Sequence, residues 1–166
     1  MTDAPLDVGV IGPKGFIGSN LARRSNASAV YGRNDGTSLA SSNHELLICS
    51  GVPAEKWKAN KHPEEDKRNL VELTKNLSTA NAKNFVLIST IDVLGNGADL
   101  VESDNVSNYE KDAYGINRFE FELDTVRTFS NSLVLRLPGM YGPGLKKNVI
   151  FDFIFAYFFI ISMKRR

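Results

Sequence analysis

Apolar residues in this chain fall into short runs, set apart by glycine-rich turns, polar stretches and amphipathic segments. Five runs have the length and composition of strands: Leu6–Ile11, Ala29–Tyr31, Glu45–Cys49, Asn84–Ser89 and Leu133–Leu137. Each is closed by turn formers or a polar residue, namely Gly12, Gly32, Ser50–Gly51, Thr90 and Pro138–Gly139. Val86–Leu87–Ile88 and Leu133–Val134–Leu135 are apolar without alternation, as in strands of a sheet covered on both faces. Between the runs, the spacing predicts helices over Ile17–Arg24, Pro63–Asn81 and Tyr114–Thr128. Strands alternating with helices predict βα units, and so an α/β, doubly wound parallel sheet. Gly32–Ser42 is small and polar and reads as a loop. It is too short for the further strand and helix of a full sheet of this kind, so the sheet is expected to be trimmed. Gly95–Asn108 reads as a second polar loop, beyond the C-terminal end of a strand, where such sheets carry ligands.

The junction of the first strand and first helix carries the most chemistry. Val8–Gly9–Val10–Ile11 runs into Gly12–Pro13–Lys14–Gly15–Phe16–Ile17–Gly18, with glycines at three-residue intervals. Such a turn lets backbone N–H groups approach a pyrophosphate, and the helix behind it points its positive dipole end at the same phosphates. Gly12 is expected to allow the tight turn, Gly15 the close approach and Gly18 the packing of helix on strand. Lys14, Phe16 and Ile17 would line the same site, with Ser50 and Gly51 from the third strand end. Glycines also cluster in ordinary turns; the preceding apolar strand and following helix are what favour a dinucleotide here. The expected fold is therefore of the Rossmann type.

Composition narrows the classes. The chain has 166 residues, a formal net charge of +1 and 42% hydrophobic residues, which fits one soluble globular domain with its own core. No charge excess points to nucleic acid or a membrane surface. Cys49 is the only cysteine and lies in an apolar run, so a reducing cytoplasm is the expected home, and the N-terminus is no secretory signal. His44 and His62 flank loops without metal-ligand spacing to Cys49, and no metal site is expected. Residues 1–148 are read as the dinucleotide-binding domain and 149–166 as an apolar C-terminal segment. Val149 to Met163 is rich in Phe and broken only by Asp152, but is shorter than the roughly 20 residues that span a bilayer. It is expected to be a core element, an exposed remnant of a substrate lobe or an interface, the last making a homo-oligomer a candidate assembly.

Two further constellations carry candidate chemistry. Tyr114 and Arg118 lie four residues apart and share a helix face. A cation beside a phenol lowers its pKa, and a tyrosine so tuned serves as general acid or base; a surface Tyr–Arg stack gives the same spacing. Thr90 ends a buried strand, where its hydroxyl would face the cofactor crevice or simply satisfy the strand end. Asp92 follows as a second acid or base candidate, or a solvated loop carboxylate. Trp57 is expected to pack or cap near the crevice. At the second strand end, Tyr31–Gly32–Arg33–Asn34 has no acid where NAD enzymes hold the ribose hydroxyls, and Arg33 is available for a 2′-phosphate. That favours NADP slightly within an NAD(P) reading, although Asp35 lies close in sequence.

Four segments in order give the chain a family resemblance: Gly12–Gly18, Lys83–Gly95, Ala113–Arg118 and Arg136–Gly144. From about Asp7 to about Asp152 it resembles the extended short-chain dehydrogenase/reductase family, the NAD-dependent nucleotide-sugar epimerases and dehydratases. The resemblance implies an NAD(P) cofactor and a nucleotide-sugar substrate. It implies that Thr90 matches the catalytic Ser/Thr and Tyr114 the catalytic tyrosine, and that Leu137–Gly144, with Pro138, lies near the nicotinamide. Asn69 is a loose match to the family's helix asparagine. Three departures stand out. Arg118 replaces a lysine, and arginine is planar and bulkier than an ammonium. Thr90–Ile91–Asp92 stands where dehydratases carry Thr-Asp-Glu, which disfavours sugar dehydration. Most of the C-terminal substrate lobe is expected to be missing, so the chain reads as a fragment, a natural truncation or a minimal cofactor module. The expected function is an NAD(P)-dependent oxidoreductase of the epimerase/dehydratase type; the alternative is a non-catalytic NAD(P)-binding module that senses cofactor or partners another subunit.

Overall fold

The structure, a computed structural model, describes residues 5–97, 99–101, 104–142 and 144–145. The apolar segment 149–163 lies outside the described residues. Five parallel strands form one sheet in the order β2-β1-β3-β4-β5: β1 Val8–Ile11, β2 Ala29–Tyr31, β3 Asn43–Cys49, β4 Asn81–Thr90 and β5 Ser132–Leu137. The helices are α1 Phe16–Arg24, α2 Gly36–Ala40, α3 Lys56–Lys61, α4 Pro63–Leu77 and α5 Ala113–Thr128. The chain moves outward from β1 to β2, then returns to β3 on the other side of β1 and continues to β4 and β5. That reversal between β1 and β3 opens a crevice at their C-terminal ends, the place where doubly wound sheets bind ligands.

Strand alternation sends successive side chains to opposite faces. On one face Ile11, Leu47, Cys49, Phe85 and Leu87 pack with Leu39 of α2, Leu70 and Leu77 of α4 and Phe121 of α5. Phe129, just after α5, stacks on Phe85 with ring centroids 4.1 Å apart. On the other face Val8, Val10 and Ile48 pack with Leu21 and Ala22 of α1. Beyond α1, Leu133 and Leu135 of β5 pair with Val86 and Ile88 of β4 and stay 54% and 38% exposed.

The trimmed sheet is found, because the chain between β2 and β3 holds only a short helix. That helix, α2, corrects the reading of Gly32–Ser42 as a loop: Leu39 gives this polar stretch one anchor, 2% exposed. Likewise α3 forms where no helix is predicted, and α4 stops at Leu77, short of Asn81, which starts β4. The end of the Gly95–Asn108 loop winds into a 3-10 turn, Val106–Asn108. His44 does not flank a loop. It lies within β3, buried, with Nε2 2.7 Å from the Tyr31 hydroxyl and Nδ1 3.1 Å from Asp7. Gly9 on β1 makes room for its ring, since a Cβ there would sit 2.6 Å from His44.

Candidate functional site

The crevice holds a cavity of about 770 Å³, within the range of cofactor pockets. Its floor is the turn from β1 into α1. Gly12 has φ +85° and donates its N–H to the Tyr31 carbonyl. A Cβ on Gly12 would lie 2.5 Å from the Gly51 Cα, so the β1 and β3 ends touch backbone to backbone. A Cβ on Gly18 would fall 2.1 Å from the Gly12 carbonyl oxygen, so α1 packs directly on the turn. Gly15 is the N-cap of α1 and has space: its nearest neighbour, the Gly12 oxygen, would be 3.4 Å from an added Cβ. Gly15 has no side chain to cap α1, and the helix start, Lys14 to Ile17, lines the cavity. Backbone cradle, helix start and cavity volume fit a dinucleotide pyrophosphate.

Gly12, Lys14, Gly15, Phe16, Ile17, Arg33, Ser50, Gly51, Thr90, Tyr114, Arg118 and Pro138 all line this one cavity. Gly18 lies behind it. The Ser50 hydroxyl donates to the Ile11 carbonyl at 2.7 Å and so ties β3 to β1. Arg33 is exposed at the rim, and the nearby Asp35 carboxylate accepts the Gly32 N–H at 2.7 Å. Among the positions read as peripheral, Trp57 points outward on α3, 62% exposed, and Asn69 is exposed on α4.

The far wall is polar and tightly paired. Thr90, at the end of β4, donates its hydroxyl to Asp92 Oδ2 at 2.7 Å and accepts the Asp92 N–H at 3.2 Å. The other Asp92 oxygen meets the Lys56 ammonium, which also lies 3.0 Å from Asp112. Asp112 caps α5 through the Gly115 N–H at 2.9 Å, and Asn60 accepts the Tyr114 N–H at 2.9 Å. Lys56 therefore staples α3 to the β4 exit and to the start of α5. Its hydrogen bond to Asp92, with help from Asp112, holds its pKa above the usual lysine value.

Arg118 is the correction to the reading of Tyr114. Its guanidinium lies over the Tyr114 ring, 4.3 Å from the centroid, and is 3% exposed. Yet both terminal nitrogens bind Asp66, at 2.7 and 2.9 Å, and one also donates to the Pro53 carbonyl at 2.7 Å. Burial raises the Tyr114 pKa, and Arg118 lowers it by less, while Asp92 adds to the rise. The net direction is upward, so the phenol keeps its proton at neutral pH. Asp66 behaves oppositely: burial works to raise it, but the bonds from Arg118 and Asn117 win and hold it below the usual carboxylate range. Sequence reading missed Asp66 because it follows Glu64 and Glu65 in the first turn of α4, where acids ordinarily serve the helix dipole.

No protein-family model matches the chain, and no curated protein does. Solved structures do. The dTDP-4-dehydrorhamnose reductase of Yersinia enterocolitica superposes with a TM-score of 0.73 at 12% identity, covering 91% of this chain and 59% of that one. The Bacillus anthracis dTDP-4-dehydrorhamnose reductase, in complex with NADP, gives 0.71 at 15% identity over 94% and 61%. The UDP-glucose 4-epimerase of Thermotoga maritima, with UDP-glucose, gives 0.68 at 18% identity over 89% and 62%. The chain has the fold of these enzymes and spans about three-fifths of their length.

Proposed function

We propose that this chain binds NAD(P) on its glycine turn and serves oxidoreduction of a nucleotide-linked sugar, as the reductases and epimerases of the same fold do. The observation that carries this is the convergence of Thr90, Tyr114 and the glycine turn on a single cavity. Gly12 and Gly15 give backbone access to the pyrophosphate, with Lys14 beside it. Arg33, exposed at the rim of the cavity, supports NADP over NAD. The nicotinamide, when bound, supplies or takes the hydride. Tyr114, protonated, donates to the reacting oxygen as general acid, and Thr90 lines the same cavity from the end of β4. The UDP-glucose bound by the Thermotoga maritima epimerase supports a nucleotide-linked sugar as the substrate class.

A second reading has its own support: with the Arg118 charge spent on Asp66, the chain binds NAD(P) without turnover and partners another subunit. Cofactor absorbance separates the two, using NADP(H) and NAD(H) with a panel of UDP- and dTDP-sugars and their 4-keto forms. Hydride transfer to or from any of them supports the enzyme. Cofactor binding without transfer favours the module, and absence of cofactor binding overturns both.

A further inference from the structure

Resting on the nucleotide-sugar reading above, we propose that Asp92, held by Lys56, is a specificity-determining positioning residue. It fixes Thr90 as a hydrogen-bond acceptor toward the cavity, so the pocket takes the alcohol form of its substrate in preference to the ketone. A threonine hydroxyl has one hydrogen and two lone pairs. Thr90 gives its hydrogen to Asp92 Oδ2 at 2.7 Å and one lone pair to the Asp92 N–H at 3.2 Å. One lone pair is left for the cavity. A carboxylate only accepts, so Asp92 cannot return the hydrogen.

Lys56 keeps this orientation. Its ammonium holds the other Asp92 oxygen and is anchored from behind by Asp112 at 3.0 Å. Asp112 is in turn fixed by the Gly115 N–H at 2.9 Å and by Asn60 at 3.1 Å. Both Asp92 oxygens are thus engaged, one by Thr90 and the other by Lys56. Across the same cavity, Tyr114 retains its proton because burial outweighs the pull of Arg118.

Between them, Tyr114 offers a donor and Thr90 an acceptor to this cavity. An alcohol oxygen satisfies both, accepting from Tyr114 and donating to Thr90. A ketone oxygen has only lone pairs and would set one against that of Thr90, an unmade bond in a half-buried place. Asparagine at position 92 reverses the pattern. Its amide oxygen faces Lys56, its NH₂ faces Thr90, and the Thr90 hydrogen is released to the cavity.

The test uses a pair of sugars differing at one oxygen, UDP-6-deoxyglucose and UDP-4-keto-6-deoxyglucose. The alcohol is titrated into the NADPH complex and the ketone into the NADP⁺ complex, so neither reacts, and each variant is compared with wild type within each complex. Asp92→Asn should weaken the alcohol and tighten the ketone, moving their affinity ratio by about tenfold. Thr90→Val, which keeps the shape and removes the hydroxyl, should weaken the alcohol while sparing the ketone, and decides the matter if Asp92→Asn fails to fold by circular dichroism. An unmoved ratio in the folded variants overturns the proposal and leaves the substrate reading standing. Wild type that binds cofactor but neither sugar overturns the substrate reading, and the proposal with it.

Discussion

Arg118 of α5 and Asp66 of α4 face each other as a two-pronged pair, at 2.7 and 2.9 Å, with both side chains under a tenth exposed. The pair ties the two helices on one face of the sheet and passes through the wall of the cavity. Removing one partner strands the other charge in the interior. Asp66→Ala should therefore cost about 3–5 kcal/mol in urea unfolding, and Asp66→Leu with Arg118→Met should recover most of it. An Asp66→Ala loss below 1 kcal/mol, on the order of an exposed pair, would show that water reaches the site.

The same pair sets an acid limit. The Asp66 pKa is depressed in the folded state, so its stabilisation is complete above the unfolded value of about 3.9. It is lost as pH falls below that toward the lower folded value. Urea midpoints of wild type should fall through this window more steeply than those of the Asp66→Leu, Arg118→Met double variant; parallel curves would remove Asp66 from the account.

Gly15→Asp tests the phosphate site without breaking it. Among the described residues an added Cβ meets only the Gly12 oxygen, at 3.4 Å, so the fold should stand. The new carboxylate would lie where the pyrophosphate is expected. NADPH fluorescence titration should show binding abolished with an unchanged unfolding midpoint, whereas retained affinity would place the cofactor elsewhere.

Arg33→Ala tests the nucleotide. A charge-assisted contact to a 2′-phosphate contributes roughly 1.5–3 kcal/mol, so NADPH affinity should drop more than tenfold while NADH affinity holds. Equal losses for the two would take away the preference for NADP.

Tyr114→Phe removes one oxygen from the cavity wall and nothing from the glycine turn. With a sugar nucleotide that wild type turns over, the variant should lose at least about a hundredfold in rate and keep its NADPH affinity. Because the phenol pKa is raised, the wild-type rate of ketone reduction should hold through neutral pH and decline only where the phenol ionises, above the usual tyrosine value. Unchanged turnover in the variant would assign the proton to another group.

The strands, the three longer helices and the glycine turn were legible because periodicity and turn chemistry are local. The two short helices were not: α2 rests on Leu39 alone, and α3 has no apolar stripe, only Ala59 buried. The site was half legible. Thr90, Tyr114 and Arg118 stood out by type and spacing, but what they touch depends on residues far along the chain. Asp66 lies 52 positions from Arg118, and Lys56 lies 36 from Asp92. Spacing showed a cation beside a phenol and could not show that the cation was already claimed.

The contacts at Gly12 and Gly18 make the proposed phosphate cradle and the fold inseparable. An added Cβ at either collides with backbone, at Gly51 or at the Gly12 carbonyl, so their loss harms folding before it harms binding. Thr90 and Tyr114 carry no such constraint: their hydroxyls can be lost while the sheet stands. Under drift, a lineage of such chains would shed its chemistry first and its glycines last. Gly12 and Gly18 in a relative of this protein are thus a record of folding, whereas the hydroxyls of the opposite wall are free to record the chemistry proposed above.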